Sequence, residues 1–412
     1  MRADMKHSLI PRPRAHPAIL ALLTLAVCLP ALADEEELRK EIEELKKVLK
    51  SLEMRLDVQE QKPIPQPPTA PSDPAADIDR EFMDAEPTRA KNWYERTSFG
   101  GYGEMHLNLG NSDEIDFHRW VLFLNHDFTD TIRLVSELEL EHSIAGEGAN
   151  GEIELEQAYL EFDLGKNYQG RGGLFLMPVG ILNETHEPTT FFGTERNPIE
   201  REIIPTTWWE GGLGFNQNLE QGIRWDVAFH SGLAVPSTGG NAYRIRSGRQ
   251  KVSEADASEW ASTARVRYTG IPGFEVGSSI QYQRDITPEI NERNDAFLGE
   301  AHIDINKAGF GLRALAGYWN IDGPTPATLG LDEQWGYYVE PSYTFDIGQR
   351  SKLGFFGRYN QFDAAAGDFR QYDAGANFWP IDRIVFKADY SYIDNRDGDS
   401  EDVYNLGIGY VF

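Results

Sequence analysis

Residues 402–412 read DVYNLGIGYVF, and Tyr404, Leu406, Ile408, Tyr410 and Phe412 fall on every second position. Successive side chains of a strand point to opposite faces, so these five share one face and Val403, Asn405, Gly407, Gly409 and Val411 share the other. A soluble protein buries such a stripe in a core. A membrane barrel turns it toward lipid and gives its other face to a lumen. The rest of the chain decides between the two.

The period of two recurs from about Thr97 to Phe412. Ile132, Leu134, Leu138 and Leu140 alternate with Arg133, Val135, Glu137 and Glu139; Ile223, Trp225, Val227 and Phe229 alternate with Arg224, Asp226, Ala228 and His230. Segments of about ten residues, apolar on one side and polar on the other, suit a strand crossing a bilayer. Roughly sixteen are expected, starting near residues 97, 114, 130, 152, 168, 208, 222, 257, 273, 294, 308, 332, 351, 370, 382 and 401. The alternation breaks around Glu152 to Glu156. Connections alternate as well: HDFTD, LGKN, NLEQ, GIPG, NKA, DIGQR and PIDR are brief, whereas 144–150, 180–207, 232–256 and 321–331 are longer. Short periplasmic turns and long outside loops are the asymmetry of bacterial barrels. A secreted sandwich or propeller would need two-sided core strands or a blade repeat, and neither is present. The expected fold is therefore all-β, a transmembrane antiparallel β-barrel of about sixteen strands over 97–412, preceded by a short N-terminal coiled-coil helix and a proline-rich linker.

The front of the chain sets the compartment. Arg12 and Arg14 precede the apolar run AILALLTLAVCLPALA, so residues 1–33 have the form of a secretory signal peptide. Its removal takes away Cys28, the only cysteine, and no disulfide is expected. The leader holds four basic residues and one acid, so the formal charge falls from −27 to −30 on cleavage. That charge disfavours nucleic acid as a partner. In 34–60, Leu38, Ile42, Leu45, Leu49, Leu52 and Leu56 recur at spacings of four and three, the pattern of a coiled coil. Residues 61–96, opening KPIPQPPTAPSDPAAD, form an extended linker. These segments are expected on the periplasmic side, the helix reaching toward peptidoglycan, and the barrel in the outer membrane of a Gram-negative bacterium among its lipid and lipopolysaccharide.

TSFGGYGEMHLN at the start of the barrel and GGLFLMPVGILNETHEPTTFFGTERNPIEREIIPTTWWEGGLGF resemble the phosphate-selective porin family, the porin O and P group. The resemblance implies a homotrimer of sixteen-stranded barrels, an outside loop folded into the lumen, and basic residues that select phosphate at the constriction. The third outside loop by count, 180–207, becomes the expected constriction, with Glu184, Glu187, Glu195, Arg196, Glu200, Arg201 and Glu202 as its charges. It holds no lysine, a departure from the family pattern. Alternation points Arg133, Arg224, Arg265, Arg267, Arg313, Arg358 and Lys387 inward, with Glu104, Glu137, Glu139, Glu161, Asp226, Glu300, Asp304, Glu340 and Asp389. Such rows suit passage of small polar solutes and ions, or pair with each other as structural ions. The cluster Tyr243-Arg244-Ile245-Arg246, with Arg249 and Lys251, is expected in a solvated fourth outside loop. No catalytic group, cofactor or metal site is expected: 184–187 is not HExxH, and DNRDGDSED at 394–402 departs from calcium-loop spacing. The functional expectation is passive diffusion through a porin, anions such as phosphate included; the rival is a tether between outer membrane and cell wall.

Overall fold

The computed structural model describes residues 92–110, 113–288, 292–396 and 398–412. The expected leader, the coiled-coil helix and the linker up to residue 91 lie outside the described residues. Sixteen strands follow one another: β1 Thr97–Leu109, β2 Glu114–Asp127, β3 Ile132–Glu141, β4 Ile153–Gly165, β5 Tyr168–Leu176, β6 Trp209–Asn218, β7 Ile223–His230 and β8 Ala261–Ile271. The second half comprises β9 Phe274–Gln283, β10 Ala296–Lys307, β11 Phe310–Ile321, β12 Glu333–Ile347, β13 Ser351–Ala364, β14 Gly367–Ile381, β15 Ile384–Asn395 and β16 Glu401–Val411. The strand number is the expected one, and every start lies within a few residues of its expected place.

Each strand pairs antiparallel with its chain neighbours, and β1 pairs with β16 from Tyr102↔Val411 to Leu109↔Tyr404, which closes the barrel. Phe412 completes the seam: its N–H donates to the Gly101 carbonyl at 2.8 Å, and its own carbonyl accepts from Gly101 at 3.1 Å. Closure leaves no row of unpaired backbone groups, the condition for strands in hydrocarbon. Tyr404, Leu406 and Ile408 are all exposed on the outer surface, as are Leu213, Phe229, Ile280 and Phe386. This outer apolar band is the lipid-facing surface. At the end bearing the long loops, Trp335, Tyr337, Tyr359, Tyr372 and Tyr392 run ring to ring across β12 to β15 at 5.1–6.3 Å. Amphipathic rings in a row at one height form the aromatic girdle of a bilayer interface.

Among the described residues five strand pairs shift register; three shifts lie beside turns, at Asp163/Gly165, Tyr268/Ile271 and Phe378/Ile381, and two lie within the wall. Glu104 pairs Arg119 but His106 pairs Asp116, so β2 carries an extra residue there. Glu137 pairs Gln157 while Leu138 pairs Leu155, which makes Glu156 the extra residue of β4. This bulge is the physical reason for the broken alternation around Glu152 to Glu156: a bulge sends consecutive side chains to the same face.

The lipid-face assignment gives a direct test. Leu406→Lys would lower folding free energy in a bilayer by about 2–4 kcal/mol, whereas the same change on the lumen face costs less. Reversible folding into lipid vesicles, followed by tryptophan fluorescence, measures both; equal costs would refute the assignment.

Candidate functional site

Between β5 and β6 the chain leaves the wall for residues 177–208. Irregular backbone inside a barrel must find partners for its polar groups, and here inward-facing side chains of the wall provide them. Arg119 donates to the His186 carbonyl at 2.8 Å, Arg313 to Thr190 at 3.0 Å and Asn377 to Phe191 at 3.0 Å. Arg358 donates to Phe192 at 3.3 Å and Lys387 to Gly193 at 2.8 Å. The Asp389 carboxylate accepts the Thr194 N–H at 2.6 Å. These donors sit on β2, β11, β13, β14 and β15, so the segment spans the interior rather than hugging one strand.

Its second half packs through apolar groups. Ile199, Ile203, Ile204 and Trp208 are fully buried with Leu315, Trp319 and Tyr338 of the wall. Trp319 Nε1 donates to the Ile203 carbonyl at 2.8 Å. Glycine lets the segment approach: a Cβ at Gly317 would lie 2.8 Å from Ile203 Cγ2, and one at Gly336 would lie 2.9 Å from Ile199 Cδ1. Glu200 ties the turn together, accepting the Ile181 N–H at 2.9 Å, the Leu182 N–H at 2.5 Å and the Tyr338 hydroxyl at 2.7 Å.

The segment's other charges fall into separate roles. Glu184 pairs with Arg265 of the wall, and Arg265 also holds Asp226 at 3.0 Å. Glu195 reaches His106 Nδ1 at 2.9 Å. Glu202 takes a two-pronged contact from Arg244 at 2.8 and 2.9 Å. Arg201 is largely exposed, 3.5 Å from Glu202, and Glu187 is half-buried. Of the lumen-facing bases, Arg358 bridges Glu340 and Asp373 at 2.8 Å each and Arg313 holds Asp304 at 2.8 Å. Arg224 pairs with Asp226 at 3.0 Å and Arg267 with Glu275 at 3.7 Å, while Arg133, half-exposed, pairs with Asp127 at 2.7 Å.

The fourth outside loop, 231–260, differs from the solvated loop expected. Tyr243 and Ile245 are fully buried in the same apolar cluster as Ile203 and Trp208. Arg246 donates to the Thr206 carbonyl at 2.6 Å and Arg249 to the Thr207 carbonyl at 2.6 Å, and Arg196 donates to Thr207 Oγ1 at 2.8 Å. Among the described residues, Arg196, Arg246 and Arg249 have no ion-pair partner within 4.0 Å. Burial, with Arg249, Arg196 and Arg201 alongside, pulls the Arg246 guanidinium below its ordinary range. The three guanidinium groups thus share one spot with no carboxylate in direct contact.

That spot faces a cavity of about 280 Å³ at the long-loop end. Arg196, Arg246 and Arg249 line it, and Glu141, Glu154 and Glu156 line it too. Cavities of about 290 and 400 Å³, sharing Thr190, Asp304, Asn306 and Arg313, lie against residues 180–192 of the segment. Residues 177–208 therefore partition the lumen, with space lined by the first half and separate space lined by the second.

Sequence spacing gave no hint of one further grouping. His106, His118 and His142, with Asp116 and Glu195, converge at the wall beside the 280 Å³ cavity. Residues 106, 118 and 142 follow no metal-ligand spacing, because the β2 bulge and the end of β3 bring them together.

No protein-family model matches the chain. A protein of Aquifex aeolicus (strain VF5), described only as uncharacterized, is 29% identical over 350 residues, covering 76% of this chain and 80% of its own. Among solved structures, an anion-selective porin from Comamonas acidovorans has a TM-score of 0.55 at 12% identity, covering 77% of this chain and 99% of its own. Salmonella typhi OmpF in complex with daunomycin scores 0.53 at 12% identity, covering 77% and 97%. The trimer form of OmpT, an outer-membrane protein of Vibrio cholerae, scores 0.52 at 11% identity, covering 77% and 99%. The barrel has the porin fold. At these identities the likeness speaks for architecture, and chemistry must come from the lumen.

Glu200→Ala strands two backbone N–H groups and a tyrosine hydroxyl, so docking of 177–208 is expected to weaken by about 2–4 kcal/mol. Hydrogen exchange of that segment in detergent micelles measures the opening free energy; unchanged protection would refute the role given to Glu200.

Proposed function

We propose that the chain is an outer-membrane porin through which small polar solutes and ions diffuse passively, anions such as phosphate being favoured at its mouth. The observation that carries this reading is the trio Arg196, Arg246 and Arg249, unpaired among the described residues and bordering the long-loop cavity. A desolvating anion needs charge-assisted donors to replace its water, and guanidinium groups supply them in pairs. The acids across the cavity, Glu141, Glu154 and Glu156, set up a transverse field that orients dipolar solutes on their way to the partition. Selectivity by lysines in the third loop, the pattern of the phosphate-selective family, is replaced in this reading by arginines shared between two loops.

The same reading takes the assembly as a homotrimer, embedded in outer-membrane lipid and lipopolysaccharide. Residues 34–60 then form a three-stranded stalk in the periplasm, joined to the barrel by 61–96 and reaching toward peptidoglycan. A second reading, a tether of low conductance, draws on the apolar cluster that unites both inserted loops with the wall and fills part of the lumen.

Single-channel recording of the refolded protein under a potassium chloride gradient tests both. The expected result is threefold conductance steps with an anion-selective reversal potential. Replacing Arg196, Arg246 and Arg249 together by glutamine is expected to move that potential toward the cation side. A native channel already cation-selective would overturn the anion preference, and silence from a folded protein would put the tether first. Deleting 34–60 is expected to lower the temperature at which the trimer dissociates in detergent; an equally stable trimer would remove the stalk from the assembly.

A further inference from the structure

Three local irregularities assemble two donor triads that share His118. The β2 bulge turns Asp116, His118 and Arg119 to the lumen within four residues, where regular alternation would show only alternate side chains. His142, just past β3, takes a left-handed backbone conformation with φ of 53°, which β-strand continuation would not allow. Glu195 arrives from the partition. His106 stacks on His118 with ring centroids 4.6 Å apart, and His118 meets His142 edge to face at 5.9 Å.

Donor atoms converge accordingly. Asp116 Oδ2 lies 2.8 Å from His142 Nδ1 and 3.3 Å from His118 Nδ1. The Asp116, His118 and His142 donors all fall within 4.8 Å of one another, and so do those of His106, His118 and Glu195. Four-coordinate zinc, bonded at about 2.0–2.2 Å, needs donors roughly 3.3–3.6 Å apart, so the groups close on an ion by small side-chain rotations. Glu104 Oε2 stands 3.3 Å from His106 Nε2, the arrangement in which a carboxylate orients a ligating imidazole through its far nitrogen.

We propose that His106, His118 and His142, with Asp116 and Glu195, form a binding site for one divalent transition-metal ion of the zinc and nickel class at the outer mouth of the barrel. Imidazole and carboxylate donors suit such ions better than they suit magnesium or calcium, which favour all-oxygen sets. A neutral imidazole offers one lone pair, so His118, common to both donor triads, serves one ion at a time and sets the stoichiometry. His118 and His142 border the open cavity, which gives the ion an entry path. Because Glu195 belongs to residues 177–208, an ion bound through it fastens the partition to the wall. The site rests on wall geometry and stands whether or not the channel favours anions.

The test uses the full-length mature protein without a histidine tag, refolded in detergent, with Zn²⁺ alone as the probe in equilibrium dialysis. One Zn²⁺ per chain is expected, and His118→Gln and His142→Gln are each expected to weaken binding by at least about 10-fold. His142, partly exposed at the end of its strand, is the variant that keeps the fold, and heat-modifiable migration checks this. Two controls discriminate. His126→Gln, on β2 toward the short-turn end, is expected to bind as the parent does. His186→Gln probes the buried trio Glu137, Glu156 and His186, which lies outside the proposed site. Absence of binding, binding unaffected by His118→Gln and His142→Gln in folded protein, or binding abolished by His186→Gln instead would each overturn the proposal.

Discussion

Everything inside this barrel depends on capping carbonyls. Residues 186–194 cross the lumen without regular secondary structure, and each backbone oxygen buried there would cost about 1–3 kcal/mol if left unpaired. Arg119, Arg313, Arg358, Asn377 and Lys387 answer that demand from five different strands. Arg119, Arg313, Arg358 and Lys387 are thus sockets for the partition first. Arg358 and Arg313 in turn need Glu340, Asp373 and Asp304 to hold their planes in place. The alternation of acid and base along the inner wall is in large part the apparatus that positions one loop.

This division of labour decides where uncompensated positive charge remains in the lumen. Cations paired with carboxylates, such as Arg358 and Arg313, keep little field for a solute. Arg196, Arg246 and Arg249 touch only neutral oxygens, of carbonyls and a hydroxyl, so their charge stays available to the cavity they border. Two of the three belong to the fourth outside loop, so the position of these charges depends on how that loop packs against the third. The Glu202–Arg244 pair and the burial of Tyr243 and Ile245 provide that packing.

The barrel itself was legible because lipid imposes a strict period. Leu406 and Ile408 must alternate with Asn405 and Gly407, and no other periodicity survives in a two-faced strand. The break at Glu156 showed in the sequence as a lost phase, but only pairing reveals that one extra residue causes it. The inserted charges were visible as residues and not as roles. Glu200 and Glu195 are both loop glutamates in a string of letters, yet one binds backbone amides under the barrel's apolar cluster and the other meets a wall histidine. Tyr243 and Ile245 sit between arginines and so resembled a wet loop; their burial comes from partners more than thirty residues away in the chain, such as Ile203 and Trp208. The histidine cluster was hidden for the same reason, since its spacing is set by a bulge and a strand end.

The seam between Gly101 and Phe412 carries a consequence for biogenesis. The first strand borders the last, so one side of β1 waits for a partner some three hundred residues downstream. Until β16 arrives, the growing sheet has two open edges, each able to pair with any passing strand. The barrel therefore cannot close piece by piece as the chain leaves the ribosome. It stays an unfinished sheet and completes its circumference in one late step, when the tail finds the head.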